Sequence, residues 1–233
     1  MTERALRWVA RALGRRLYEV AADVAQATLP AFANRPRNLT IEPPRTIANA
    51  SHIHVGDDVW IGPGSLLIAV TSYPGPSIQH PTVPRPVQQF TPRIAIGHRV
   101  TATAGLQIAA HASVTVEDDV LFASNVNLTD GLHGHERADE PYKYQPISRI
   151  APILVGQGCW IGQNVVVLPG VTIGELSIVG ANSVVRESIP PRSIAVGQPA
   201  RVVKRWDEST GEWVRVGAGD GSREARQSRM GVA

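Results

Sequence analysis

Two histidines, His133 and His135, stand close to Asp130 in the segment Thr129-Asp130-Gly131-Leu132-His133-Gly134-His135-Glu136-Arg137. Imidazole titrates near neutrality, so it accepts or returns a proton without a large pKa shift, and in its neutral form it also binds metal ions. An earlier pair, His52 and His54, has the same spacing. A catalytic zinc commonly takes three protein ligands and a water, so a pair alone falls short of one. Histidines in a polar loop also need no chemical role at all. The single cysteine, Cys159, cannot form an internal disulfide. It falls inside a regular repeat, which reads as a small packing residue rather than a nucleophile and suits a reducing compartment.

What positions that loop is a repeat. Val155, Ile161, Val167, Ile173, Val179 and Val185 stand six apart, and Gly156, Gly162, Gly174 and Gly180 directly follow four of them. A helix repeats its apolar face near 3.6 residues and a half-buried strand at two, so a period of six predicts stacked short strands with a turn in each unit. One branched side chain per unit points inward, and the glycine after it is expected to supply the dihedrals of a corner. The same beat runs through Val55, Ile61 and Leu67, then Ile96, Ala102, Ile108 and Val114. It slips by two near His111 and resumes at Val116, Phe122 and Leu128. Two insertions break it, near 70–93 and near 127–152, and the second carries the His133 segment. Insertions leave a solenoid at its corners as loops, where repeat proteins often place their function.

The chain has 233 residues, a net charge of +3, 21 glycines, 18 prolines and few aromatics. That suits one corner-rich, all-β domain better than a helical bundle. No concentrated basic face with stacking aromatics is apparent, so nucleic acid is not an expected partner. Residues 1–30 form an N-terminal segment with a short amphipathic α-helix: Leu6, Val9, Leu13, Leu17, Val20 and Val24 share one side, and Arg4, Arg7, Arg11 and Arg15 another. It is expected to pack across the open end of the solenoid, and as an alternative to lie on an anionic membrane leaflet. Residues 31–205 form the solenoid, and 206–233, which lack periodicity, a mobile C-terminal tail. With no apolar stretch of membrane-spanning length and arginines scattered through the N-terminus, the expected location is cytoplasmic, with peripheral contact at the inner face of the membrane allowed by the helix.

The stretch Ile153 to Trp206 closely resembles the hexapeptide-repeat acyltransferases, in particular the maltose and galactoside O-acetyltransferases and their polysaccharide-modifying relatives. The Trp160-Ile161-Gly162 coil, the Pro190-Pro191 pair closing the last coil and the Gly197-x-Pro199-Ala200 turn carry the match. The resemblance covers about Val55 to Lys204. It implies a left-handed parallel β-helix, a homotrimer with active sites between subunits, and transfer of an acetyl group from acetyl-CoA to a hydroxyl or amine, with no metal. A thioester is already activated, so such an enzyme needs a base for the acceptor proton, donors for the oxyanion and a slot that aligns two substrates.

Aligning Val120 to Asp130 on the matching coil of the galactoside enzymes places His133 on the family's catalytic histidine without a gap, and His135 beyond it. Many relatives carry a further histidine or a His-Pro pair in this loop, and here Gly131 stands beside the aspartate. Asp130 either orients the base, as an acid does in a triad, or caps the turn. Matching the family's CoA groove are Ala123, Gly162, Gln163, Gly180 and Ala181, where small residues and backbone amides can accept the pantetheine arm. Arg186, Arg201, Lys204 and Arg205 fall near its phosphates.

Related β-helices act as zinc carbonic anhydrases, but the two histidines separated by four residues that they use are absent here. A non-catalytic β-helix serving as a scaffold or binding surface is the other alternative; it would need neither CoA coils nor a histidine in the acceptor loop. The acids and asparagines that hold the sugar in galactoside relatives are missing from Thr101–His111, so a different saccharide or small-molecule acceptor is expected, with a polysaccharide precursor the leading candidate. The proline-rich insertion, with Tyr73, Gln79, His80 and Arg85, is long enough to shape a pocket or meet a neighbouring subunit.

Overall fold

In the computed structural model, which describes residues 3–78 and 80–216, the elements are mostly short strands, with one α-helix among the described residues, Glu3–Ala27. Most of the strands belong to three sheets of nine, six and five, and the chain visits them in rotation. One circuit runs Trp60–Ile61, Ser65–Ala69, then, after an insertion, Arg93–Ile96; the next runs Thr101–Ala102, Gln107–Ala110, Ser113–Val116. Neighbouring strands between coils are parallel throughout the solenoid, and the periodic aliphatics fall in register. Ile61 pairs with Ala102, Ala102 with Phe122, Phe122 with Ile161 and Ile161 with Val179. Each of these is fully buried, so a column of inward side chains runs the length of the solenoid. A small Ala102 lies beside the large Phe122, which keeps the column filled where the largest ring enters it.

Coil length explains the slip in the sequence. Phe122 follows its partner Ala102 by twenty residues, whereas Val179 follows Ile161 by eighteen. The two extra residues lie at the corner between the second and third sheets, Ala110 to Ser113, where His111 sits.

The role expected for the periodic glycines needs correction. Gly56, Gly62, Gly156, Gly162, Gly174 and Gly180 all lack positive φ; the left-handed positions come two residues later and are mostly not glycine, among them Asp58, Arg99, Asp119, Asn125, Asn164 and Asn182. Asparagine and aspartate tolerate that conformation better than other side chains. What demands glycine is close approach of the next coil: a Cβ on Gly62 would lie 1.8 Å from the Thr103 carbonyl oxygen, and one on Gly162 would lie 2.6 Å from the Ala181 nitrogen.

Both ends depart from expectation. The helix is tied at its C-terminal end, where Gln26 donates to the Leu39 carbonyl and Arg45 to the Ala25 carbonyl. Leu13, Leu17, Val20 and Val24 are nonetheless 56–64% exposed, so this part of its stripe does not pack across the open end of the solenoid. No described helix is long and apolar enough to cross a membrane. At the other end the solenoid closes with an antiparallel ribbon, Ser193–Gly197, Ala200–Asp207 and Glu212–Arg215. The segment assigned from sequence to a mobile tail is therefore a strand pair as far as Arg215, with Trp206 and Trp213 edge-on at 5.4 Å. The rest of that assignment, 217–233, lies outside the described residues.

Gly62→Ala is expected to lower stability by about 1–3 kcal/mol, the usual cost of forcing atoms into a packed site. Asn164→Gly, at a left-handed corner, should change it by less than about 1 kcal/mol. Thermal melts of the two variants beside the wild type check the difference.

Candidate active site

Both insertions leave the solenoid at the same edge. The first departs after Ser65–Ala69 and returns at Arg93–Ile96; the second departs after Asn127–Thr129 and returns at Ile153–Val155. The corner bearing His111 lies on the coil between them. His133 belongs to a two-residue strand, Leu132–His133, paired antiparallel with Ile147–Ser148, and its side chain is exposed. Its imidazole meets the ring of Tyr73 edge-on, with centroids 5.1 Å apart. Tyr73 is buried, and its hydroxyl, pushed up by burial, donates to the Lys143 carbonyl. Arg85 pairs with Glu140, and the rings of His80 and Tyr144 lie 4.7 Å apart, so the two insertions form one body. His135 is exposed further along the loop.

Of the two roles open to Asp130, its geometry matches the corner cap. The carboxylate is fully buried and accepts from the amides of His111, Ala112 and Ser113 at 2.6–2.8 Å, with His111 Nδ1 at 3.1 Å. It faces His111, and no hydrogen bond joins it to His133. Burial alone would push the Asp130 carboxyl up; hydrogen bonds from the His111 side chain and from the His111 and Ala112 amides outweigh that and hold it below the ordinary range. Phe90 of the first insertion packs edge-on against His111 at 5.3 Å. Gly131 lies against the same ring: a Cβ there would sit 2.7 Å from His111 Nδ1, which gives the missing loop histidine a steric reason. Sequence reasoning missed His111 as the centre of this corner, although the slip in period marked its place.

The cofactor positions lie on a different edge, the corner between the first and second sheets. Ala123, Gly162 and Gly180 stack there, but their amides are spent on the next coil, donating to Ile161, Val179 and Ala195 carbonyls at 2.8 Å. These three amides are thus occupied within the chain. Gln163 and Ala181, one residue further on, are exposed, and neither amide donates in any hydrogen bond described within the chain. Arg186 and Arg201 both reach Glu187, at 3.5 and 3.4 Å, and Lys204 lies opposite Arg215 across the closing ribbon. One chain therefore brings His133 and the corner Ala123–Gly162–Gln163–Gly180–Ala181 to separate edges and does not join them. Among the described residues no three metal-ligating side chains cluster. Cys159 is buried, donates to the Gly174 carbonyl, and burial pushes its thiol up to about 11, in keeping with a packing role.

Residues 152–187 match the family model described as bacterial transferase hexapeptide, six repeats. Those residues are thus similar to transferase hexapeptide repeats. Among curated proteins, the chain is 40% identical over 117 residues to the putative lipopolysaccharide biosynthesis O-acetyl transferase WbbJ of Escherichia coli, covering 48% of this chain and 60% of that protein. It is 41% identical over 111 residues to the galactoside O-acetyltransferase of the same organism, covering 48% and 53%. The chain thus spans between half and two thirds of the length of these relatives. Among solved structures, a mutant of AntD, an N-acyltransferase from Bacillus cereus in complex with dTDP and coenzyme A, superposes with a TM-score of 0.59 at 19% identity, over 85% of this chain and 92% of that one. This likeness is one of fold.

Asp130→Asn should destabilise the protein by about 1–3 kcal/mol, since buried amides of the 111–113 corner lose an acceptor. Because the folded carboxyl titrates below its unfolded value, the wild-type advantage is present above about pH 4 and fades as pH falls through the folded value. Melting temperatures of both proteins from pH 3 to 7 should show the gap closing at the acid end.

Proposed function

We propose that this chain is an acetyl-CoA-dependent O-acetyltransferase built on a left-handed parallel β-helix and working as a homotrimer, with a hydroxyl of a sugar or polysaccharide precursor as acceptor. The observation that carries the proposal is the transferase hexapeptide at 152–187, together with O-acetyltransferase relatives at 40–41% identity, on a chain that also presents an exposed imidazole at the expected loop position. The relatives' names favour a saccharide hydroxyl. His133 takes the proton of that hydroxyl as its oxygen attacks the thioester carbonyl; the C–S bond breaks, and the proton passes to the departing CoA thiolate. Gln163 and Ala181, with amides free of the coil ladder, form the groove for the pantetheine arm. Arg186, Arg201 and Lys204 serve its phosphates, with Glu187 tempering the two arginines.

Separation of His133 from that groove supports the trimer, because a neighbouring copy can bring its groove to this chain's base. An outward ladder on the first sheet, Trp60, Thr101, Leu121 and Trp160, also exposes large apolar side chains that a second copy would cover. In this proposal the exposed part of the N-terminal helix's stripe rests on the inner face of the membrane, from the cytoplasm.

Purified protein supplied with acetyl-CoA and a panel of sugars should release free thiol. His133→Ala should lower turnover about 10²–10⁴-fold, the usual worth of a positioned base, with acetyl-CoA binding nearly unchanged. His135→Ala should do far less. Thiol release assays with both variants, beside light scattering for the trimer mass, decide it: equal activity of wild type and His133→Ala contradicts the base assignment, and a fully active monomer contradicts the trimer.

A further inference from the structure

The first insertion carries none of the residues assigned to the reaction, yet it touches the second at the points that bear on His133. Tyr73 and Gln88 pair in register across the hairpin Ser72–Tyr73 and Gln88–Gln89. The side-chain amide of Gln88 takes both backbone groups of Ile147: its Oε1 accepts from the Ile147 amide at 2.7 Å, and its Nε2 donates to the Ile147 carbonyl at 3.1 Å. Ile147 is the residue directly opposite His133 in the second hairpin. The His133 ring then meets the Tyr73 ring, which closes the loop of contacts. Four residues thus form a circuit in which each link is a strand pairing, a double hydrogen bond or a ring contact.

Such a circuit answers a physical need. Paired strands of two residues each are marginal on their own, and an exposed imidazole on one of them would turn freely about its side-chain bonds. A base must hold its reacting nitrogen to within a fraction of an ångström, since a misplacement of about 1 Å can cost 10²-fold in rate. Gln88 fixes the strand that backs His133, and Tyr73, anchored through its hydroxyl to Lys143, limits the rotation of the ring.

We propose that Tyr73 and Gln88 are positioning residues for His133, and that the proline-rich insertion exists in part to supply them. The inference rests on the acetyl-transfer reading for its kinetic consequences, but the contact itself can be read without activity. Tyr73→Leu and Gln88→Ala should each lower kcat by about 10–100-fold with little change in KM for acetyl-CoA. Because they break one circuit, the double variant should lose no more than the worse single one, far from the product of the two. Tyr73→Phe, which keeps the ring and loses the hydroxyl, should recover kcat to within about threefold of wild type, whereas a merely structural role would lower the melting temperature of Tyr73→Leu and leave kcat of its folded fraction at the wild-type value.

The ring contact is read separately by NMR of histidine-labelled full-length protein, with His133 assigned by the resonance that vanishes in His133→Ala. In the wild type and Tyr73→Phe its ring protons should be displaced by the neighbouring aromatic current, and in Tyr73→Leu they should return to ordinary values. Gln88→Ala leaves the Tyr73 side chain intact and carries the test if Tyr73→Leu fails to fold. Unmoved His133 resonances in Tyr73→Leu, or a kcat in Gln88→Ala equal to wild type, overturns the proposal. A wild type that releases no thiol while the ring shift behaves as stated defeats the transfer reading and leaves the circuit standing.

Discussion

The structure depends on the main-chain ladder between successive coils. A strand of two residues has no stability of its own, but short strands of the solenoid donate to the coil beside them, as in Thr101 to Val120, Leu121 to Cys159 and Trp160 to Ser177. These bonds satisfy buried polar backbone at every level, and they allow one inward aliphatic per sheet to stack on its counterpart. Close approach at the glycine corners follows from the same spacing. So does the fate of those corner amides, which are consumed in holding coils together.

A ladder of this kind is indifferent to what leaves its corners. Two insertions use one edge, on either side of a single intact coil, and this places them near enough to bind each other. The coil between them is held at its corner by Asp130, whose buried carboxylate gathers three amides and the His111 ring. Asp130 thereby fixes the root of the segment that bears His133 three residues later. It meets the His111 ring, and no hydrogen bond joins it to His133.

The repeat made the solenoid legible in the sequence, because a period of six admits few structures, and both insertions were marked by the breaks in it. The helix 3–27 was equally plain from its spacing. Other features could not be read in this way. Glycines at the corners looked conformational and proved steric, since the close contact comes from the neighbouring coil, forty-one residues on for Gly62 and nineteen for Gly162. Asp130 had two chemically sensible partners, and only the folded corner brings His111 to it. Tyr73 and Gln88 sit in a segment without periodicity; Gln88 reaches the strand of His133 through Ile147, fifty-nine residues on, and Tyr73 meets its ring directly. The closing ribbon at Glu212–Arg215 was hidden by composition, as its strand lies among Gly, Ser and charged residues.

That the base and the cofactor corner lie on different edges of one chain is the claim from which the proposed assembly follows, and it can be tested by mixing copies. His133→Ala lacks the base but keeps the corner, while Ala181→Trp fills the corner but keeps the base. Each variant alone should be nearly inactive. If sites form between copies, co-expressing the two chains, so that mixed assemblies form, should restore a measurable fraction of thiol release. A mixed assembly, verified by differential tags, that stays as inactive as its parents would contradict the shared site.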